Sequence, residues 1–397
     1  MKSLRIILVM TEPPLPFGHA TARWSYVLLK GLVQRGHRVA AFAASSDRQA
    51  IGEVEALFPS PEYDLRCHVH PIRNRLQSKL QAVRRPYSYM FSSRLRSDLG
   101  AELARGFDLL HLEGTWAGWL SHGDDVSRSV LNVHNLYALD LPDQAPVSLT
   151  EKLRSALQRR AESRLLRTCS TLITATPRLE RAVRAVAPAT PVYIVPLALD
   201  LALYLFVPPR RRPREPVVSL IGSMDWYPSR SAAVRLLTRL WPEIKQRVAS
   251  ARLRIVGRHA RRALGDFLGQ SDVEIAENVM DIRPYFEASS VLLYAPARGS
   301  GMKVKILEAF AYGVPVVTTN DGVEGLPAED SVHVGLCDDD RGLIERTVAL
   351  LNDSNRQEQQ RRAARQLLER HCNADAALDA VERCYADILA RRNDLAA

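Results

Sequence analysis

Pro296-Ala297-Arg298-Gly299-Ser300-Gly301-Met302-Lys303-Val304-Lys305-Ile306-Leu307-Glu308-Ala309-Phe310-Ala311-Tyr312-Gly313 carries the most structural information in this chain of 397 residues. The apolar run at residues 291–294 before it reads as a buried strand. Ile306, Leu307, Phe310 and Ala311 then recur at helical spacing, and Gly313 suits a C-cap ahead of a further strand at 314–318. A glycine-containing loop thus leads from a strand into a helix N-terminus. There, backbone N–H groups and the helix dipole favour an anion such as a phosphate. Lys303 and Lys305 fall in the expected first turn, where cations are disfavoured unless an anion is present. A tight turn explains the glycines alone equally well; with two lysines and Glu308 beside them, a phosphate site is the stronger reading.

Outward from this stretch, the chain shows two similar beginnings. In the second half, residues 217–221 read as a strand and Gly222-Ser223-Met224-Asp225-Trp226-Tyr227-Pro228 as a turn. A helix with Ala233, Leu236, Leu237, Leu240 and Trp241 inward follows, then a strand at 253–256 closed by Gly257. In the first half, residues 4–10 form a short apolar run, and a proline-rich turn ends at Gly18-His19. An amphipathic segment follows, with Trp24, Val27, Leu28 and Leu32 on one stripe, then a strand at 38–44. Two strand–helix–strand starts about 210 positions apart, judged against the usual size of a domain, predict two doubly wound α/β domains. Residues 207–216 hold four prolines and four arginines and read as a solvated linker, with anion binding as the alternative. The expected division is 1–200, a linker at 201–216, and 217–397 with helices from about residue 353 onward.

Composition removes several classes of protein. Hydrophobic residues make up 46% and charged residues 25%, so disorder and collagen-like repeats are excluded. The five scattered cysteines include no CxxC pair, which argues against a disulfide scaffold or zinc-site spacing. No apolar run approaches the roughly 20 residues of a membrane span, and the first one is shorter than a signal peptide requires. A cytoplasmic protein is expected, with peripheral contact at the inner face of a membrane as the variant.

The run from Asp281-Ile282-Arg283-Pro284-Tyr285 through Gly299–Ala309 to Gly322-Val323-Glu324-Gly325-Leu326 resembles glycosyltransferase family 4. It is most similar to a bacterial subgroup with a GxGxRxKxLEAMA segment. Pro13-Pro14 before Gly18, Phe107-Asp108-Leu109-Leu110-His111-Leu112-Glu113 and Asn132-Val133-His134-Asn135 agree with it. Pro196-Leu197-Ala198-Leu199-Asp200 stands where that family has a PNGVD hinge. The resemblance implies the GT-B fold, two Rossmann-like domains with parallel sheets facing a central cleft. It also implies retaining transfer from a nucleoside diphosphate sugar, UDP or GDP, to an acceptor hydroxyl, with no cofactor and no bound metal. Surface polysaccharide, glycolipid or specialised glycoside synthesis would be the setting, with a saccharide or lipid-linked acceptor.

Carried over residue by residue, Glu308 matches the glutamate that binds the ribose hydroxyls, as a carboxylate suits two hydroxyl donors. Gly222 and Ser223 match the turn that approaches the diphosphate. Lys303 and Lys305 would neutralise the leaving group, with Lys303 the leading partner. His134 would meet the transferred sugar or the acceptor, with Glu113, Gly18 and His19 on the same acceptor side. The catalytic set is therefore His134, Glu308 and Lys303. Two departures stand out. Ser300 falls where many members have the first of two glutamates, and Asp225-Trp226 replaces an arginine. Arg230, Arg298 and the lysines would supply that charge, while Ser300 and Gly301 complete the donor loop. For each of these residues the alternative is structural: a surface cation, an ordinary turn or a core-edge histidine.

The net charge is 54 − 44 = +10. Leu149, Leu153, Leu157, Ala161 and Leu165 recur every four residues among Lys152, Arg154, Arg159, Arg160, Arg164 and Arg167. Such a helix either packs on its own domain or lies on an anionic membrane. Two rival functions stay open at this level: a nucleotide-sugar epimerase or hydrolase on the same fold, and a non-catalytic polyanion binder. No nucleic-acid recognition motif supports the second.

Overall fold

The computed structural model describes residues 2–71, 84–140, 149–207 and 215–396. Residues 208–214, seven of the ten in the proline- and arginine-rich run of the expected linker, lie outside them. The chain divides into two compact units, Met1–Asp200 with Ala374–Ala397, and Leu201–Asn373.

The first unit is built on a seven-stranded parallel sheet. Its strands are β1 (Arg5–Met10), β2 (Arg38–Ser45), β3 (Asp64–Val69), β4 (Leu109–Glu113), β5 (Ser129–Val133), β6 (Leu172–Thr174) and β7 (Val192–Ile194). They run in the order β3-β2-β1-β4-β5-β6-β7. Ile6 to Met10 are all buried, as a parallel strand covered on both faces requires. The second unit repeats the winding with β8 (Val217–Ile221), β9 (Arg252–Gly257), β10 (Val273–Glu277), β11 (Val291–Tyr294), β12 (Val316–Thr318) and β13 (Gly335–Leu336). Its order is β10-β9-β8-β11-β12-β13. In each sheet the order reverses beside the first strand, between β1 and β4 and between β8 and β11. Open parallel sheets bind ligands at the carboxyl ends of the strands that flank such a switch.

The helix after β8 runs Tyr227–Arg235, opens into a π-helical turn at Leu236–Leu240 and continues as Trp241–Arg247. Pro242 has no N–H to give the preceding turn, and the wider turn accommodates it. The C-terminal helices are Ser354–His371 and Ala374–Ala396.

The sequence reading placed the last helix with the second domain; its contacts place it with the first unit. Ala377, Leu378, Val381, Cys384, Tyr385 and Ile388 are buried along one helical face. Arg35 binds Asp379 and Glu382, and Leu378 packs so tightly on Gly31 that a Cβ there would lie 2.2 Å from its Cδ1. A single amphipathic stripe states that a helix needs a sheet to cover, without stating which sheet.

The helix Leu149–Thr168 divides the two readings of its stripe. Ala161 and Leu165 pack against Trp116 and Trp119, while Leu149 and Leu153 are 83% and 62% exposed.

Candidate active site

In the second unit, the turn after β8 and the loop after β11 flank the switch point. Gly222 N–H donates to Val256 O at 2.9 Å, and Met224 N–H to Arg258 O at 3.0 Å, which docks the turn onto the end of β9. A Cβ on Gly257 would lie 1.8 Å from the Gly222 carbonyl oxygen, so only glycine allows this approach. Lys305 reaches the same turn from the helix Val304–Tyr312. Its Nζ donates to Ser229 Oγ at 3.0 Å and stands 4.2 Å from the Tyr294 ring centroid. A Cβ on Gly222 would be 2.8 Å from Lys305 Cε. Burial pulls the Lys305 ammonium down to about 7, helped by the neighbouring charge of Lys303 and opposed by Glu308. Glu308, one turn along the same helix, is 2% exposed.

In the first unit the parallel register sets a polar strip along the carboxyl ends of β4 and β5. Glu113 pairs with Met10 on one side and Asn132 on the other. With strand period two, His111 shares the face of Glu113, and His134 continues that of Asn132. Glu113 is fully buried and accepts hydrogen bonds from Trp24 Nε1 (3.0 Å), Asn132 Nδ2 (3.1 and 3.2 Å) and His134 Nε2 (2.7 Å). His111 Nε2 lies 2.7 Å from Glu113 Oε1, and its Nδ1 lies 2.6 Å from the Tyr385 hydroxyl. Burial pushes the Glu113 carboxyl up, but the two histidines outweigh it and hold it well below the usual carboxylate range. The segment after His134 is pinned by Glu162, which accepts from the N–H groups of Tyr137 (2.9 Å) and Ala138 (3.2 Å). Burial raises that carboxyl to about 7 in spite of the two backbone donors.

The profile of Glycosyltransferase Family 4 matches residues 21–203, and that of Glycosyl transferases group 1 matches residues 215–353. The chain belongs to the family 4 glycosyltransferases. No curated protein sequence matches it. Sucrose-phosphate synthase from Thermosynechococcus elongatus is similar over 98% of this chain and 100% of its own, at 16% identity and a TM-score of 0.71. HepE from Anabaena, in complex with UDP-glucose, is similar over 96% and 100%, at 13% identity and 0.68. WaaG, a glycosyltransferase of lipopolysaccharide biosynthesis, is similar over 96% and 99%, at 13% identity and 0.62. The shared architecture is the GT-B fold.

Within this family 4 glycosyltransferase the two lysines have different surroundings. Lys303, expected to lead, is the helix N-cap, with its side chain turned back into its own loop. Its Nζ donates to the Ser300 and Gly301 carbonyl oxygens and stands 3.9 Å from Glu324. Lys305 is the one at the Gly222 turn. Ser300 is buried in that loop and Gly301 takes φ 73°, a left-handed conformation suited to glycine. Arg298 is half-buried just before it, while Arg230 is exposed on the helix after the turn. Ser223 Oγ accepts from Asp225 N–H at 3.4 Å. Gly18 and His19 are exposed at the start of the helix Ala20–Gln34, whose second turn carries Trp24 to Glu113.

Sequence reasoning missed several residues. Asp225 receives His259 Nδ1 at 2.8 Å, and His259 N–H donates to Asn278 Oδ1 at 3.1 Å. His259 and Asn278 both have positive φ, 54° and 53°. All three lie just beyond the carboxyl ends of β8, β9 and β10, which is the signal that points to them. Trp24 and His111 were missed as partners of Glu113, and Tyr385 as the partner of His111. For His111 the signal was present: it precedes Glu113 by two in a strand. Among the described residues, no helix is long and apolar enough to cross a membrane.

Proposed function

We propose that the chain is a retaining glycosyltransferase that moves a sugar from a UDP- or GDP-sugar to an acceptor hydroxyl. The observation that carries this reading is Lys305 beside the Gly222–Ser223 turn, at the switch point of the second sheet, with Glu308 one turn further on. The UDP-glucose held by HepE supports a nucleotide-sugar donor.

The diphosphate lies against the Gly222 and Ser223 N–H groups, the N-terminus of the helix Val304–Tyr312 and the Lys305 ammonium. Glu308 accepts the two ribose hydroxyls. As the bond from the anomeric carbon to the phosphate oxygen breaks, these donors hold the growing negative charge. The acceptor oxygen bonds to that carbon on the same face, and its proton passes to the departing phosphate. No metal or cofactor is needed for charge that Lys305 and the helix terminus neutralise. Lys303 holds the donor loop closed, and His134 meets a hydroxyl of the transferred sugar or the acceptor.

The exposed Leu149 and Leu153, one turn apart beside exposed Lys152, Arg154 and Arg160, suit contact with an anionic membrane and a lipid-linked acceptor. Incubation with a panel of UDP- and GDP-sugars and saccharide or lipid acceptors tests the reading. The expected product keeps the anomeric configuration, read by its proton coupling. Rapid donor consumption without acceptor, or an inverted product, overturns it. Vesicle co-sedimentation, with and without Leu149→Ser and Leu153→Ser, tests the membrane contact.

A further inference from the structure

The buried strip in the first unit does more than place His134. A carboxylate offers only acceptors. Glu113 lies fully buried with Trp24, Asn132 and His134 donating to it and His111 Nε2 beside Oε1. His134 must therefore carry hydrogen on Nε2. Its Nδ1 has no hydrogen-bond partner among the described residues, and its side chain is 15% exposed. On the far side, His111 holds Nε2 2.7 Å from Glu113 Oε1, close but not aligned as a hydrogen bond, and turns Nδ1 toward the Tyr385 hydroxyl. Burial keeps that hydroxyl protonated, well above its ordinary range. Tyr385 can then donate to His111 Nδ1, which leaves the His111 proton on Nε2, facing Glu113. The hydrogens of the chain Tyr385–His111–Glu113–His134 thus converge from both ends on the Glu113 carboxylate.

We infer that Tyr385, His111 and Glu113 are positioning residues that lock His134 in the tautomer with hydrogen on Nε2, so that Nδ1 stands bare as the acceptor for a sugar or acceptor hydroxyl. This rests on the proposed contact between His134 and such a hydroxyl. The titratable and charged groups that face the strip are His111 and Glu113 from β4, His134 after β5, and Tyr385, Cys384 and Glu382 from the last helix. Glu382 is already held by Arg35 and His37. No sequence motif marks Tyr385, which lies 274 positions from the histidine it touches.

The test is imidazole nitrogen spectroscopy on the full chain labelled at histidine, assigned with His134→Ala. The expected wild-type spectrum shows hydrogen on Nε2 of His134 and an unprotonated Nδ1. Hydrogen on Nδ1 instead overturns the inference. Tyr385→Phe keeps the ring and removes only the hydroxyl. It should mix the tautomers of His111, whose Nδ1 the hydroxyl meets, and through Glu113 shift the pH profile of kcat, with donor KM within about twofold. Glu113→Gln should lower kcat by about 10–100-fold, the usual cost of losing a hydrogen-bonded partner that orients a functional histidine. If Glu113→Gln fails to fold, the wild-type spectrum and Tyr385→Phe still decide. Unchanged spectra and profiles in both variants refute the lock. If the spectrum is as expected but His134→Ala turns over at the wild-type rate, the lock stands and the proposed role of His134 falls.

Discussion

Lys305 offers the sharpest test of the donor site, because its position sets a pH dependence with a definite sign. Its ammonium is pulled down to about 7 by burial and by Lys303. A diphosphate against it supplies the counter-charge that the free protein lacks, returning it to at least the ordinary 10.5 of a lysine. Donor binding therefore takes up a proton wherever the free lysine is neutral and the bound one charged, from about pH 7 to 10.5. Linkage then gives an affinity loss of about 25-fold between pH 6.5 and 8.5, and an uptake of about 0.9 proton per donor at pH 8. The assay is titration calorimetry with an intact UDP- or GDP-sugar, whose diphosphate diester does not titrate near neutrality, in buffers of different ionisation heat. Lys305→Met should bind weakly and with a flat profile. His259→Gln should keep the slope, which separates the lysine from the histidine in the adjoining turn. The same shift has a sign for stability. A lysine lowered by folding costs stability below 10.5, and the cost is complete below about 7. Lys305→Met should therefore raise the unfolding temperature of the free protein at neutral pH, the trade of stability for function seen at binding sites. A wild-type affinity that is level from pH 6.5 to 8.5, with no buffer-dependent heat, refutes the assignment.

Glu308→Gln should weaken nucleotide-sugar binding by about 1.5–3 kcal/mol, roughly tenfold to a hundredfold in Kd, as a charged acceptor is replaced by a neutral one; calorimetry reads it, and unchanged affinity removes the ribose contact. Gly257→Ala puts a methyl against the Gly222 carbonyl, an obstacle of backbone that no rotamer change relieves. The Gly222 turn should shift, and donor affinity should fall by more than for Gly265→Ala, where a Cβ meets nothing within 4 Å. Gly31→Val drives a side chain into Leu378 and should cost about 1–3 kcal/mol in denaturant unfolding. Pairing it with Leu378→Ala should recover part of that loss if the last helix packs where the structure places it.

Much of the architecture was legible because it follows from local pattern. Residues 217–221 and 291–294 read as strands and are β8 and β11, since parallel strands covered on both faces need unbroken apolar runs. The expected cap Gly313 does end its helix with φ 73°, a conformation that glycine alone adopts without strain. Glycines, lysines and a buried-face glutamate marked the loop after β11 for the same reason: each breaks a local rule that a plain helix start would keep. What the sequence could not hold is phase and partnership. Residues two apart on a helix point about 200° apart, and only the folded loop decides that Lys305 meets the Gly222 turn while Lys303 folds back on Ser300 and Gly301. Glu113, Asn132 and His134 are neighbours through strand register, which is set by the whole sheet. Tyr385 reaches His111 because the last helix returns to the first sheet, a choice made by tertiary packing among surfaces that are equally apolar when read one at a time.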